Sequence, residues 1–272
     1  MATVPIRIMF LGNRRIAWRA LKLLTSDQYK AHFDLRVLVT DESIWRNFRI
    51  LRPGNQAVHI TNQQRQTDAI GHAIQSNAID VLLSIQYNWI LPGQILDMVG
   101  RRAFNLHNAR LPSYKGYNSI SHAIANGDTT YDTTVHWMAD EVDTGDIAYI
   151  ARTPIARDDT ALTLYRRTVD TAMTAVQSLL NDLAAGRTVP RSPMPNGHAT
   201  FYVRNSVAAM ADVTNQVDTA TLALMARAAY FPPNNTAHFF HDGQKYLIVP
   251  DLNDGKPQFS AAPIANEPEF DD

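Results

Sequence analysis

Residues 6–11 form a nearly continuous apolar run that ends at Gly12, the pattern of a strand buried on both faces. Over 15–24, Ile16, Ala20, Leu21, Leu23 and Leu24 recur at helical spacing. A second strand is predicted over 35–40 (LRVLVT), a helix over 64–75, and a third strand over 79–85 (IDVLLSI) with Asp80 at its mouth. The pattern then predicts a short strand over 103–106 and a helix over 119–125. Strands alternating with helices at this pitch predict an α/β fold on a doubly wound, mostly parallel sheet.

Beyond residue 133 the pattern changes. Strands are predicted over 134–138 (TVHWM) and 147–151 (IAYIA), joined by an acidic turn over 140–146. Residues 160–185 form a long helix with apolar positions at Leu162, Leu164, Val169, Met173, Val176, Leu179, Leu180 and Leu183, stopped by Gly186. The breaker-rich 189–197 (VPRSPMPNG) reads as a linker. After it come a helix over 219–228 and strands over 237–240 and 245–249, joined by the hairpin turn His241-Asp242-Gly243-Gln244. The acidic tail ANEPEFDD is expected to fray. This predicts a domain over 1–188 and a small helix-plus-hairpin region over 189–272.

The 272 residues are 45% hydrophobic and 19% charged, enough to bury a substantial core. Lys+Arg 25 against Asp+Glu 26 leaves a net charge of −1, without the basic surplus expected of a protein that grips nucleic acid by its phosphates. With no cysteine, disulfides, thiolate zinc sites and a Cys nucleophile are excluded. The start MATVPIRIMFLG has no long apolar stretch and no later run reaches 18 apolar residues, so a cytoplasmic protein without membrane contact is expected.

Chemistry concentrates where a strand ends in Asn105-Leu106-His107, at the place open α/β sheets bind ligands. Alternation sends Asn105 and His107 to one side and Leu106 to the core. Asp143 follows in the turn VDTGD, where Gly145 permits a tight path. Imidazole is a base near neutral pH, an amide donates to a developing oxyanion, and a carboxylate orients the imidazole. Such a set suits acyl transfer. His107, His122, His136 and Asp143 are metal-capable types, but no H-E-x-x-H or similar spacing occurs, and no metal is expected. A G-x-x-x-x-G-K-[ST] phosphate loop is also missing.

FNLHNARLPSYKGYNSISHAIANGD followed by TTVHWMADEVDTGDIAY resembles the catalytic core of the folate-dependent formyltransferases. The family pattern falls on Asn105, His107, Leu111, Pro112, Gly116, Gly127, Asp143 and Gly145, and the resemblance covers roughly residues 6 to 185. It implies N10-formyltetrahydrofolate as donor and a primary amine as acceptor. Asn105 then holds the oxyanion, His107 manages the amine proton, and Asp143 orients His107 or relays protons through water. The implied pterin pocket lies along the segment 86–92 and the 139–143 loop. Gln86, Trp89, Ile90, Leu91, Asp140, Glu141 and Val142 are its candidate residues, with core packing the competing role for Trp89.

Three acceptors compare differently. Only 77 residues follow Pro195 and they are not basic, unlike the C-terminal β-barrel of methionyl-tRNA formyltransferases. Gly12-Asn13-Arg14-Arg15 replaces the Gly-rich phosphate loop of glycinamide ribonucleotide enzymes. The wording is most similar to enzymes that formylate an amino sugar carried on a nucleotide, such as a dTDP-linked precursor of bacterial surface polysaccharide. That resemblance implies a homodimer. By position near the sheet mouth, Arg14, Arg15 and Lys115 are the cations expected at a diphosphate. Tyr117 and Asn118, with Trp45, are expected at the hexose, and Tyr230 or Phe231 at the base. His122 and His136 are expected to pack behind the site. A small acceptor such as an N-hydroxylated amino acid, or a non-catalytic folate-binding role, are the competing readings.

Overall fold

The structure, a computed structural model, describes residues 4–216, 218–232, 235–250 and 257–260; the acidic tail expected to fray lies outside them. The first half runs β1 (Ile6–Gly12), α1 (Arg14–Leu24), β2 (Phe33–Thr40), α2 (Glu42–Leu51), β3 (Val58–Thr61), α3 (Thr67–Ser76), β4 (Val81–Ile85), α4 (Gly93–Met98) and β5 (Ala103–His107). Next come β6 (Lys115–Gly116), α5 (Ser119–Ala125), β7 (Thr130–Trp137), β8 (Ile147–Pro154) and α6 (Ala161–Ala184). The chain continues through β9 (Phe201–Tyr202), α7 (Ser206–Ala211), α8 (Thr219–Ala229), β10 (His238–His241), β11 (Gln244–Pro250) and β12 (Pro257–Ser260).

Seven strands build the central sheet in the order β3-β2-β1-β4-β5-β7-β8. β1 pairs in parallel with β2 and β4, β2 with β3, and β4 with β5, whereas β7 is antiparallel to β5. The sheet is therefore α/β and mostly parallel. Strand order reverses between β1 and β4, which opens a crevice at the carboxyl ends of the strands.

Several elements exceed the sequence pattern. α2 is capped by Asp41, whose carboxylate accepts from the Ile44 amide at 2.8 Å, yet only Ile44 and Phe48 turn inward. β3 is a four-residue edge strand with no fully buried residue, and α4 spans six residues. Neither leaves a clear period in the sequence. α3 begins at Thr67 rather than 64, and β7 begins at Thr130 rather than 134.

The chain divides into two compact units, each discontinuous in sequence. One comprises 1–108, 133–151 and 172–196. One core of this unit gathers Met9, Leu11, Val37, Leu82, Ile95 and Leu96, each such side chain contributing about 1.5–3 kcal/mol by burial. The other unit comprises 109–132, 152–171 and 197–272. It holds one cluster around Tyr114, Ile124, Tyr131 and Leu164 and another around Val207, Val213 and Ile248. Burial pushes the Tyr131 phenol far above its ordinary pKa.

Reciprocal bonds between Thr160 and Thr163 start α6: each hydroxyl accepts from the other's amide, at 3.1 and 2.8 Å. The expected hairpin is present. β10 and β11 pair antiparallel with His241 opposite Gln244, and the two turn residues Asp242 and Gly243 both have positive φ, 49° and 75°. An Asp-Gly loop of that shape matches the twist of its strands. Among the described residues no helix is long and apolar enough to cross a membrane.

Candidate active site

β4 and β5 set the site. Leu82↔Ala103 through Ile85↔Leu106 pair in register, so the buried strand β5 delivers its last residues to the sheet's carboxyl edge. Leu106 turns into the core, while Asn105 and His107 share the other side as alternation requires. β7 returns antiparallel, with Asn105 opposite His136 and His107 opposite Thr134. One face of the sheet thus carries Asn105, His107, Thr134 and His136 together.

The loop after β7 brings in the carboxylate. Asp143 adopts φ 55°, left-handed backbone that Asp tolerates better than most residues. Its Oδ2 lies 3.4 Å from Nδ1 of His107, the side chains being 8% and 12% exposed. Its Oδ1 lies 3.5 Å from Nε2 of His136. Gly145 makes the return possible: a Cβ there would sit 1.8 Å from the Trp137 carbonyl oxygen, closer than any side chain allows. The Asn, His and Asp expected to act together are brought together, all within one unit.

Sequence reasoning missed one neighbour of this group, Ser84, and expected the other, His136, only as packing behind the site. His136 is buried as expected, but it also contacts both Asn105, at 3.0 Å, and Asp143. Ser84 on β4 donates to Asn105 Oδ1 at 2.9 Å. Alternation along β7 puts Thr134 and His136 on one face, and the β5–β7 register shows which face that is.

The other expected residues distribute as follows. Gln86 leaves β4 with φ 56°. Trp89 is partly exposed and Ile90 exposed, but Leu91 joins the hydrophobic core, so it supports the segment from behind. Tyr87 packs against that core, and burial pushes its phenol up to about 12. Asp140 is held by Arg101 at 2.7 Å, whose Nε reaches Asp97 at 2.5 Å. Glu141 and Val142 are exposed, and the Glu141 carbonyl accepts from the Thr144 hydroxyl at 2.9 Å. Among the described residues no group of three His, Cys, Asp or Glu is placed to hold a metal ion.

Arg14 is exposed at the first residue of α1 with φ 67°, and Arg15 is half-buried behind it. Trp45 stacks on His59 with ring centroids 4.6 Å apart. In the other unit, Lys115 lies on β6, and exposed Tyr117 carries the Arg204 guanidinium 5.1 Å over its ring. Asn118 precedes α5 with φ 57°; its side chain makes no capping bond and donates instead to the Arg204 carbonyl at 2.9 Å. His122 packs as expected, stacked on Tyr202 at 3.8 Å and bonded to Ser206, with burial lowering its pKa. Tyr230 is only 6% exposed and sits in the interior of its unit. Phe231 is partly buried, and its ring crosses that of Tyr165 at 68° with centroids 5.5 Å apart. Tyr230 is not an open stacking platform.

An open α/β sheet carrying an amide, an imidazole and a carboxylate at its carboxyl edge is a ligand-binding arrangement suited to acyl transfer. A family model described as formyl transferase matches residues 27–180, more than half of the chain, and the chain belongs to that family. Its fold is similar to a 4-N formyltransferase from Francisella tularensis, with a TM-score of 0.73, 16% identity, and 90% of this chain and 96% of that one covered. A sugar N-formyltransferase from Shewanella sp FDAARGOS_354 follows at TM-score 0.70 and 19% identity, with the same coverage. WlaRD, a sugar 3N-formyl transferase crystallised in the presence of dTDP and 5-N-formyl-THF, gives 0.66 and 18%, covering 94% and 97%.

Proposed function

We propose that this formyltransferase moves a formyl group from N10-formyltetrahydrofolate to the primary amine of a nucleotide-linked amino sugar. The observation that carries the proposal is the convergence of Asn105, His107 and Asp143 on one sheet face. A carboxylate only accepts hydrogen bonds, so Asp143 fixes the His107 proton on Nδ1 and leaves Nε2 as the working base. As the amine adds to the formyl carbon, Asn105 donates an N–H to the oxygen that gains charge. His107 takes the amine proton through Nε2 and returns it to the departing N10 of the folate, so the proton count balances. Asp143 stabilises the imidazolium between those two transfers.

Gln86, Trp89 and Ile90, with Asp140, Glu141 and Val142, are assigned to the pterin. Trp89 and Ile90 offer accessible apolar surface for it. Arg14 and Arg15 are assigned to the diphosphate. Lys115, Tyr117 and Asn118 belong to the other unit and stay expectations from their place in the sequence. In that unit Tyr230 is interior, whereas Tyr117 and Phe201 are exposed and the Arg204 guanidinium lies beside Tyr117. The nucleotide sugar is favoured over a small acceptor because two structures of similar fold are described as sugar N-formyltransferases, one of them crystallised in the presence of dTDP. We assign catalysis to residues 1–188 and a dimer contact to the hairpin within 189–272.

The test is direct. Purified protein is given N10-formyltetrahydrofolate with a panel of nucleotide-linked amino sugars, and a matched panel of N-hydroxylated amino acids. Mass spectrometry is expected to show one formyl group added to a member of the first panel. Transfer confined to the second overturns the acceptor, and no transfer to any amine overturns the catalytic role.

A further inference from the structure

Four groups on the central sheet form one directed chain of hydrogen bonds. Ser84 on β4 lies in register with Asn105 on β5, which faces His136 across the antiparallel pair. Ser84 Oγ is 2.9 Å from Asn105 Oδ1, Asn105 Nδ2 is 3.0 Å from His136 Nε2, and His136 Nδ1 is 2.8 Å from the Trp137 carbonyl oxygen. A carbonyl oxygen accepts and cannot donate, so Nδ1 of His136 carries a proton. In the neutral ring Nε2 then holds a lone pair and must accept. It takes an N–H from Asn105, which turns the amide nitrogen toward His136 and the amide oxygen toward the Ser84 hydroxyl. Each link sets the direction of the next. Ser84 and His136 are 4% and 2% exposed, so bulk water is kept from replacing either partner.

An asparagine amide has two orientations of nearly equal shape, and they differ completely in chemistry. One leaves a second N–H free to donate; the other presents a carbonyl oxygen, which repels a developing negative charge. We propose that Ser84 and His136 are positioning residues that hold Asn105 in the donating orientation, with His136 neutral and protonated on Nδ1. The inference rests on the oxyanion role given to Asn105 above. It also gives Asp143 a divided duty: Oδ2 faces His107, while Oδ1, 3.5 Å from Nε2 of His136, is the acceptor that a doubly protonated His136 would seize. In that state Nε2–H points to Asp143 and no longer accepts from Asn105, so the amide is released to turn.

Two measurements on the full chain decide this. Nitrogen-15 spectra of histidine-labelled wild-type protein at neutral pH read the ring of His136, assigned by its loss in His136→Gln. The expected signature is one protonated nitrogen, Nδ1, and one bare nitrogen, Nε2. A doubly protonated ring or the opposite tautomer overturns the proposal. Kinetics supply the second readout. Ser84→Ala is expected to lower kcat about tenfold with both KM values within about twofold, because loss of a whole oxyanion donor is worth about 10²–10³ and Ser84 governs only its orientation. Ser84→Thr, which keeps the hydroxyl, is expected to recover most of the rate. An unchanged kcat in Ser84→Ala, or equal loss in Ser84→Thr with a wild-type unfolding curve, also overturns it. Should the wild-type protein formylate no amine, the proposed function fails, while the histidine spectrum still decides the orientation of Asn105.

Discussion

Nδ1 of His107 and Oδ2 of Asp143 meet at 3.4 Å, one residue ending a parallel strand and the other riding a loop that returns from the antiparallel neighbour. The pairing fixes which imidazole nitrogen can act as a base. Replacing the carboxylate by an amide keeps the shape but offers an N–H to Nδ1, which favours the wrong tautomer. Asp143→Asn is expected to lower kcat by about 10³–10⁴, and His107→Ala by about 10²–10⁴, both with unchanged circular dichroism. A tenth or more of the wild-type formylation rate in either variant removes the pair from the chemistry.

Gly145 is predicted to tolerate no side chain. The Cβ of Gly145→Ala would lie 1.8 Å from a backbone oxygen, which cannot swing aside as a side-chain tip can. The loop must move and carry Asp143 with it. Urea unfolding is expected to show a loss of about 2–4 kcal/mol, and turnover a fall of about 10². Alanine at full stability and full rate contradicts the geometry of the turn.

Arg101 ties the end of α4 to the loop assigned to the pterin, reaching Asp97 and Asp140 at once. Both pairs are well exposed, so their contribution to global stability is small. The effect belongs instead to loop placement: Arg101→Ala is expected to raise the KM for the formyl donor about three- to tenfold, leaving kcat within about twofold. A donor KM that does not move separates the 139–143 loop from folate binding.

Arg7 bonds Asp80 through Nε at 2.9 Å and Nη2 at 2.7 Å, and the Arg7 amide adds a third bond at 2.8 Å. The guanidinium hydrogen bond holds the Asp80 carboxyl below the ordinary carboxylate range. The unfolded chain therefore binds this proton more readily than the folded one. The stabilisation is complete above the unfolded carboxylate range and is lost as pH falls through the depressed folded value. Asp80→Asn is expected to lower Tm by roughly 2–4 °C at neutral pH, with the gap from wild type closing in acid. A gap that stays constant with pH assigns the effect to packing.

The parallel half of the sheet was readable because β1, β2 and β4 are buried on both faces and show as apolar runs. α2 was missed although Asp41, Ile44 and Phe48 mark its cap and inner stripe, because two inward residues make too weak a period. β3 was missed because an edge strand of four half-covered residues has no burial pattern to display. At the site, Asn105 and His107 followed from alternation within one strand, and Asp143 from its turn. Ser84 and His136 belong to strands paired across long stretches of chain, and register of that kind is not written in either segment alone. Tyr230 shows the converse: it was expected to stack on a base, whereas tertiary packing buries it.

Asn105, His107, Asp143, Ser84 and His136 all fall in the unit built from 1–108, 133–151 and 172–196. The stretches 109–132 and 152–171 of the other unit interrupt it twice along the chain. A chain cut before residue 133 therefore keeps Ser84, Asn105 and His107 but loses both Asp143 and His136.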